Sequence, residues 1–123
     1  MASKKILIVD DEPDITLTLG TGLEKGGYDV DSFDDPMIAL SNFKPDIYDL
    51  LLLDIKMPNM TGFELYRKVK EIDSKVKVCF ITDGEMYYGV YTDIFNSLDA
   101  KYFIRKPIDN EELVEKVNNM ISS

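Results

Sequence analysis

Five polar residues lie where predicted strands end, and their types suit phosphoryl chemistry. They are Asp10, Asp11, Asp54, Thr82 and Lys106. Carboxylates that share one crevice repel one another unless a cation lies between them, and oxygen ligands that leave room for several waters favour Mg²⁺. A carboxylate beside such an ion can also act as the nucleophile toward a phosphoryl group and form an aspartyl phosphate. The five residues therefore predict a magnesium-dependent site, provided that the fold brings them together.

Each side chain has a chemical role in such a site. Asp11 and Asp54 are the best direct ligands of the ion, and Asp10 would act through a water molecule. Lys106 can hold transferred oxygens as a point charge, and the Thr82 hydroxyl can donate a hydrogen bond. Taken singly, each residue also has an ordinary explanation as a helix-capping acid, a solvated strand end, a turn residue or a surface lysine. Their coincidence at four strand ends favours one shared site.

The segments that position these residues alternate between strand and helix. Short apolar runs predict strands at 4–10, 28–33, 50–54, 75–82 and 101–106, and apolar residues about four apart predict helices at 13–27, 35–43, 61–72, 85–98 and 109–121. This alternation predicts a flavodoxin-like, doubly wound, five-stranded parallel sheet of order 2-1-3-4-5 with five helices on its two faces. Sites in such sheets form at the carboxyl ends of the strands.

The third predicted strand ends on a charge. Four leucines at 50–53 run directly into Asp54, so an apolar strand suited to complete burial carries a carboxylate at its end. An isolated buried carboxylate is costly. Asp54 must therefore reach water at the strand end or meet partners there.

The composition limits the classes of function. The chain has 123 residues, of which 45% are apolar, which suits one domain (1–123) with a single core. The formal net charge of −9 disfavours binding of nucleic acid or anionic membrane by this domain. Cys79 is the single cysteine, and the chain has no apolar run of spanning length and no secretory signal, so we expect a cytoplasmic protein. Histidine is absent, so the chemistry must use carboxylates, lysine and hydroxyls.

Four segments resemble the motifs of the receiver domain of two-component response regulators. They are "ILIVDDEP", "LLLLDIKMPNMTGFEL", "FITDG" and "YFIRKP", in the order and spacing of that family, and together they span nearly the whole chain. The resemblance implies that Asp54 is the phosphoacceptor. It also implies that Asp10 and Asp11 bind Mg²⁺ together with Asp54 and the backbone carbonyl of Lys56.

The resemblance assigns switch residues as well. It makes Thr82 the switch hydroxyl, Phe103 the switch aromatic residue and Lys106 the lysine of the family pattern. It also implies that the Lys106–Pro107 peptide bond is cis, which only a following proline makes tolerable.

The resemblance implies a role in a phosphorelay. A partner histidine kinase or phosphotransfer protein would supply the phosphate, the domain would catalyse its own phosphorylation, and slow hydrolysis would reset it. Such a domain is not a turnover enzyme on small substrates. Phosphorylation would change the face formed by the helix at 85–98, the last strand and the last helix, which would then bind a downstream effector domain or protein, or a second copy as a homodimer.

Two residues are expected to modulate this activity, and two other functions remain open. Asp83 follows the switch hydroxyl where the family usually has a small residue, and its charge would repel phosphate or cap the next helix. That departure leaves open a phosphate-independent interaction module. Lys56 stands two residues after Asp54, where a true phosphohydrolase would need a second acid or base, so a hydrolase is the least favoured alternative. The second departure from the family pattern is a group of tyrosines in the predicted helix at 85–98, namely Tyr87, Tyr88 and Tyr91. They suit either half-buried packing or a partner surface.

Overall fold

The computed structural model describes residues 3–82 and 103–122. Its strands are β1 (Lys5–Val9), β2 (Asp29–Phe33), β3 (Leu50–Asp54), β4 (Lys77–Thr82) and β5 (Phe103–Arg105). Its helices are α1 (Pro13–Lys25), α2 (Pro36–Asn42), α3 (Gly62–Ile72) and the C-terminal helix (Asn110–Ser122). All five predicted strands and four of the predicted helices are present. The predicted helix at 85–98 lies outside the described residues.

The strands form one parallel sheet in the order β2-β1-β3-β4-β5. β1 is paired with both β2 and β3, and Ile6 lies opposite Leu50 while Val9 lies opposite Leu53. The chain thus reverses direction across the sheet after β2, which is the doubly wound topology predicted from the alternating pattern. This topology brings the carboxyl ends of β1 and β3 together at the switch point.

Local sequence signals explain where the helices begin and end. Pro13 occupies the first turn of α1, and Gly27, with φ of +98°, follows its end in a conformation that favours glycine. Asp35 caps α2, because its side chain accepts a hydrogen bond of 2.8 Å from the backbone N–H of Met37. Thr61 begins α3 through a reciprocal capping box with Glu64.

The hydrophobic core lies on both faces of the sheet. α2 and α3 cover one face, where the largest buried side chains are Leu7, Leu51, Leu53, Leu65 and Phe80. α1 and the C-terminal helix cover the other, where they are Ile6, Ile8, Leu23, Leu50, Leu52, Ile81 and Ile104. Burial on both faces explains the continuous apolar runs of β1, β3 and β4. Among the helices of the described residues, none is long and apolar enough to cross a bilayer.

One residue on a helix face that we expected to be buried is exposed. The spacing of α3 places Leu65, Val69 and Ile72 on one side, and the first two are buried. Ile72 is 43% exposed. It is the last residue of the helix, so burial of this face stops one turn earlier, and periodicity alone does not indicate where the covering neighbours end.

Candidate functional site at the carboxyl edge of the sheet

The predicted polar residues lie at one edge of the sheet. Asp10 directly follows β1, Asp54 is the last residue of β3, Thr82 is the last residue of β4, and Lys106 directly follows β5. These strands are neighbours in the sheet, so their ends meet. Asp10, Asp54 and Thr82 are 0, 6 and 5% exposed, respectively. The carboxylate at the end of the leucine strand is therefore buried and depends on partners, the second of the two outcomes that the sequence left open.

Lys106 is the cation that joins the strand ends. Its Nζ donates a hydrogen bond of 2.7 Å to Asp10 Oδ2 and lies 3.6 Å from Asp54 Oδ1. Its backbone N–H donates to the carbonyl oxygen of Thr82 at 2.6 Å, which fixes the start of the segment after β5. Asp10 Oδ1 accepts a further hydrogen bond of 3.0 Å from the backbone N–H of Glu12. Both oxygens of the buried Asp10 carboxylate are thus engaged.

The Asp54 carboxyl has an unusually high affinity for a proton. Burial raises its pKa first, and repulsion from Asp10 raises it further. The positive charge of Lys106 acts in the opposite direction, and the neighbouring Asp11 carboxyl again favours the protonated form. The balance raises the pKa of Asp54 to about 7. A cation placed against Asp54 would favour its charged, nucleophilic form.

Lys106 stays charged in spite of its depth. Burial lowers the pKa of Lys106, but the hydrogen bond to Asp10 and the negative charges of Asp54, Asp10 and Glu12 outweigh burial and raise that pKa above its ordinary value. The edge therefore holds a permanent cation between two buried carboxyls.

An acidic group suited to a hard cation adjoins this pair. Carboxylate oxygens of Asp10, Asp11 and Glu12 all lie within 4.8 Å of one another. Asp54 lies outside this group of three but is linked to it through Lys106, which binds Asp10 and lies 3.6 Å from Asp54 Oδ1. A donor set made of carboxylate oxygens, with an exposed side that admits water, fits Mg²⁺. Glu12 is a member that sequence reasoning missed, although the unbroken acidic run from 10 to 12 was a signal for it.

The loop after β3 is held close to the phosphoacceptor candidate. The backbone N–H of Gly62 donates to the carbonyl oxygen of Ile55 at 2.9 Å. A Cβ at Gly62 would lie 2.2 Å from the backbone oxygen of Asp54, so only glycine permits this approach. Lys56, whose carbonyl is a predicted metal ligand, lies in this loop with an exposed side chain.

The predicted switch aromatic residue belongs to a ring cluster. Phe103 is half-buried and stacks on Phe80, with ring centroids 5.6 Å apart. Phe80 also contacts Phe63 and Tyr66 of α3, at 4.8 and 5.6 Å. Phe80 of β4 thereby connects β5 to the helix that begins beside Asp54.

Two further expectations concern the segments on either side of β5. The Lys106–Pro107 peptide bond is cis, as the family resemblance implied. Asp83 and the three tyrosines at 87, 88 and 91 lie outside the described residues.

Comparisons with known proteins agree on one family. The family described as "Response regulator receiver domain" matches residues 6–118. The response regulator receiver protein CpdR of Brucella abortus is 37% identical over 118 residues, which are 96% of this chain and 97% of CpdR. The sporulation initiation phosphotransferase F of Bacillus subtilis is 33% identical over 123 residues and is covered to 96%.

A solved structure extends this likeness to three dimensions. The CheY-like receiver domain protein of Methanospirillum hungatei superposes with a TM-score of 0.81 at 28% identity, covering 98% of this chain and 95% of that one. Other relatives are longer, and the match covers 45% of the transcriptional regulatory protein TrcR of Mycobacterium tuberculosis and 52% of the response regulator ArlR of Staphylococcus saprophyticus.

Proposed function

The chain belongs to the response regulator receiver domain family, and from this premise we propose that residues 1–123 form a single domain that accepts a phosphoryl group on Asp54 in a Mg²⁺-dependent reaction. The observation that carries the proposal is the position of Asp54. It is a buried carboxyl at a strand end, 3.6 Å from the Lys106 ammonium that also binds Asp10.

The chemistry is a transfer between two protein groups. An oxygen of the Asp54 carboxylate forms a bond to phosphorus, the bond between phosphorus and the donor nitrogen breaks, and the released imidazole takes a proton from solvent. Mg²⁺, held by Asp10, Asp11, Asp54 and the backbone carbonyl of Lys56, would supply positive charge to the phosphoryl oxygens. Attack of water on the phosphorus later releases inorganic phosphate and restores the carboxylate. This slow hydrolysis resets the domain.

Lys106 and Thr82 stabilise the transferred group. Lys106 lies between Asp10 and Asp54, so a small movement of its ammonium exchanges Asp10 for a phosphoryl oxygen. The Thr82 hydroxyl, at the end of the neighbouring strand, donates a hydrogen bond to the same group. In that arrangement the positive charge of Lys106, which compensates Asp10 before the reaction, stabilises the phosphoryl group on Asp54.

The phosphodonor and the output lie in other molecules or domains. Because the chain contains no histidine, the donor is a histidine kinase or phosphotransfer protein, or a small acyl phosphate. Phosphate at Asp54 draws Thr82 inward, and Phe103 follows, which changes the face that an effector domain or protein reads. The same change would drive formation of a phosphorylation-dependent homodimer.

The proposal is tested by incubating the protein with acetyl phosphate and Mg²⁺ and measuring its intact mass. We expect a gain of one phosphoryl group in the wild type and none in Asp54→Asn, because the amide is nearly isosteric but is not a nucleophile. Asp14→Asn, at an exposed acid of the first turn of α1, is the control and should behave as the wild type. The absence of any gain in the wild type would favour a phosphate-independent interaction module. Sustained release of phosphate would favour a hydrolase.

A further inference from the structure

The loop between β3 and α3 has a strained turn at its tip. Asn59 has a φ of +71°, in the left-handed region that residues with a side chain seldom adopt. The backbone N–H of Met60 donates a hydrogen bond of 2.9 Å to the carbonyl oxygen of Pro58. A bond across three residues with a positive φ at the central one makes a γ-turn of the rarer, strained type. Asparagine is among the few residues with a side chain that tolerate this conformation.

Buried side chains on either side of the tip hold this turn in place. Met57 and Met60 are 8 and 5% exposed and belong to the core on the face that α2 and α3 cover. Pro58 and Asn59, between them, are exposed. Because two residues so close in sequence are both anchored in the core, the exposed pair must connect them by a tight turn. The surrounding structure thus imposes the conformation of Asn59, as it does for strained residues at functional sites.

The base of the same loop is fixed against Asp54. The backbone N–H of Gly62 donates to the carbonyl oxygen of Ile55 at 2.9 Å, and a Cβ at Gly62 would lie 2.2 Å from the backbone oxygen of Asp54. The loop is therefore closed at its base and at its tip. A change in the shape of the tip cannot be absorbed at the base, so it must move the residues in between, which follow Asp54 directly in the chain.

We propose that Asn59 is a positioning residue for phosphoryl transfer, because its left-handed turn holds in place the loop that follows Asp54. This inference rests on the proposed function, since it concerns the rate of the same reaction. Misplacement by about 1 Å can slow a reaction about a hundredfold, even when the substituted residue is distant from the reacting atoms. Asn59 acts through the backbone of the loop, so the position requires a conformation and not an asparagine side chain.

Asp46 provides a matched control near the opposite edge of the sheet. In the described residues it is the other residue that combines a side chain with a positive φ, at +64°, and its backbone N–H bonds to Asp73. Asn59→Val and Asp46→Val introduce a β-branched residue, which suits a positive φ least. Asn59→Gly and Asp46→Gly introduce the residue that adopts it freely. Valine and glycine both remove the Asp46 carboxylate, so the comparison within each pair reports on the backbone conformation and not on charge.

The measurements are urea unfolding and the rate at which the intact protein gains one phosphoryl group from acetyl phosphate in the presence of Mg²⁺. Both valine variants should unfold at lower urea concentrations than their glycine counterparts. We expect Asn59→Val to be phosphorylated about tenfold more slowly than Asn59→Gly. Asp46→Val and Asp46→Gly should be phosphorylated at equal rates. Asn59→Ala, which introduces a milder strain, replaces Asn59→Val if that variant does not fold, and its rate should fall in the same direction.

The outcomes separate this inference from the proposed function. Equal rates in the valine and glycine variants of Asn59 would overturn the inference and leave the assignment of Asp54 intact. A loss of rate in Asp46→Val as large as that in Asn59→Val would also overturn it, because general instability would then explain both. A wild type that gains no phosphoryl group would refute the proposed function itself, and the role of Asn59 with it.

Discussion

Lys106 Nζ donates a hydrogen bond of 2.7 Å to Asp10 Oδ2, although the two residues are 96 positions apart in the chain. Asp10 is fully buried, and the Lys106 side chain is 15% exposed. The pair therefore connects the ends of β1 and β5 across the intervening strands, in a place where neither charge is well solvated. Removing one partner of such a pair leaves an uncompensated buried charge.

We expect Lys106→Met to lower the free energy of unfolding of the metal-free protein by about 3–5 kcal/mol at neutral pH. The double variant Asp10→Asn/Lys106→Met should recover most of that loss, because no unpaired charge remains at Asp10. Urea unfolding of the wild type, the two single variants and the double variant in EDTA measures the coupling. A double variant as unstable as Lys106→Met alone would show that the pair is not what holds the strand ends together.

The Asp54 carboxyl should make the metal-free protein less stable as the pH rises. Its pKa in the folded protein is raised to about 7, first by burial and then by Asp10. Its contribution to stability is therefore fully present below its unfolded pKa, near 4, and is lost as the pH rises through about 7. Asp54→Asn cannot ionise, so its advantage over the wild type in EDTA should be near zero at pH 4 and largest above pH 7.

This pH dependence is measured by urea unfolding at several pH values between 4 and 8.5. Asp34→Asn, at an exposed carboxyl, is the control and should follow the wild type throughout. An advantage of Asp54→Asn that is constant over this range would contradict the electrostatic explanation and indicate a packing effect of the amide.

Much of this site follows from sequence because strand ends are easy to locate. The leucine run before Asp54 and the apolar run before Asp10 place both carboxyls at the same edge once the sheet is known to be parallel. The side-chain pairing does not follow. Lys106 contacts Asp10 more closely than Asp54, and Glu12 lies beside Asp10 and Asp11. Both arrangements depend on rotamers and distances that periodicity does not encode.

Gly62 and Gly20 form a matched pair for testing the approach of α3 to Asp54. A Cβ at Gly62 would lie 2.2 Å from the Asp54 backbone oxygen, whereas a Cβ at Gly20 in α1 would meet only side-chain atoms at 3.6 Å or more. Gly62→Ala should lower the free energy of unfolding by about 1–3 kcal/mol, because backbone must move. Gly20→Ala should raise it by about 0.5–1 kcal/mol, because alanine favours a helix interior.

The two glycine variants also differ in what they should do to function. Since Gly62→Ala displaces the segment that follows Asp54, it should slow phosphorylation by acetyl phosphate, while Gly20→Ala leaves the rate unchanged. Urea unfolding and intact mass against time provide the two measurements. If Gly62→Ala were as stable and as fast as the wild type, the close approach would not constrain Asp54.

Asp73 links the connection before β3 to the connection before β4, at the edge of the sheet opposite the candidate site. The residue is buried at the end of α3, and its carboxylate accepts hydrogen bonds from the backbone N–H groups of Asp46, at 3.0 Å, and Lys75, at 3.1 Å. Asp46 has a φ of +64°, an unusual value for a residue with a side chain, so the bond from its N–H holds a conformation that the chain would not otherwise favour. The bond from Asp46 is the main cause that lowers the pKa of Asp73, and it outweighs burial, which acts in the opposite direction.

Asp73→Asn should therefore be destabilising in a pH-dependent way. At pH 7 we expect a loss of about 1–3 kcal/mol in the free energy of unfolding, because an amide offers one acceptor oxygen where the carboxylate offers two. A carboxyl whose folded pKa is lowered contributes stability above its unfolded pKa, near 4, and this stability is lost as the pH falls through the folded pKa. The difference between Asp73→Asn and the wild type should accordingly shrink when urea unfolding is repeated at pH 3. Asp34→Asn again serves as the control, and a loss in Asp73→Asn that is the same at pH 7 and pH 3 would assign the effect to packing rather than to the charged carboxylate.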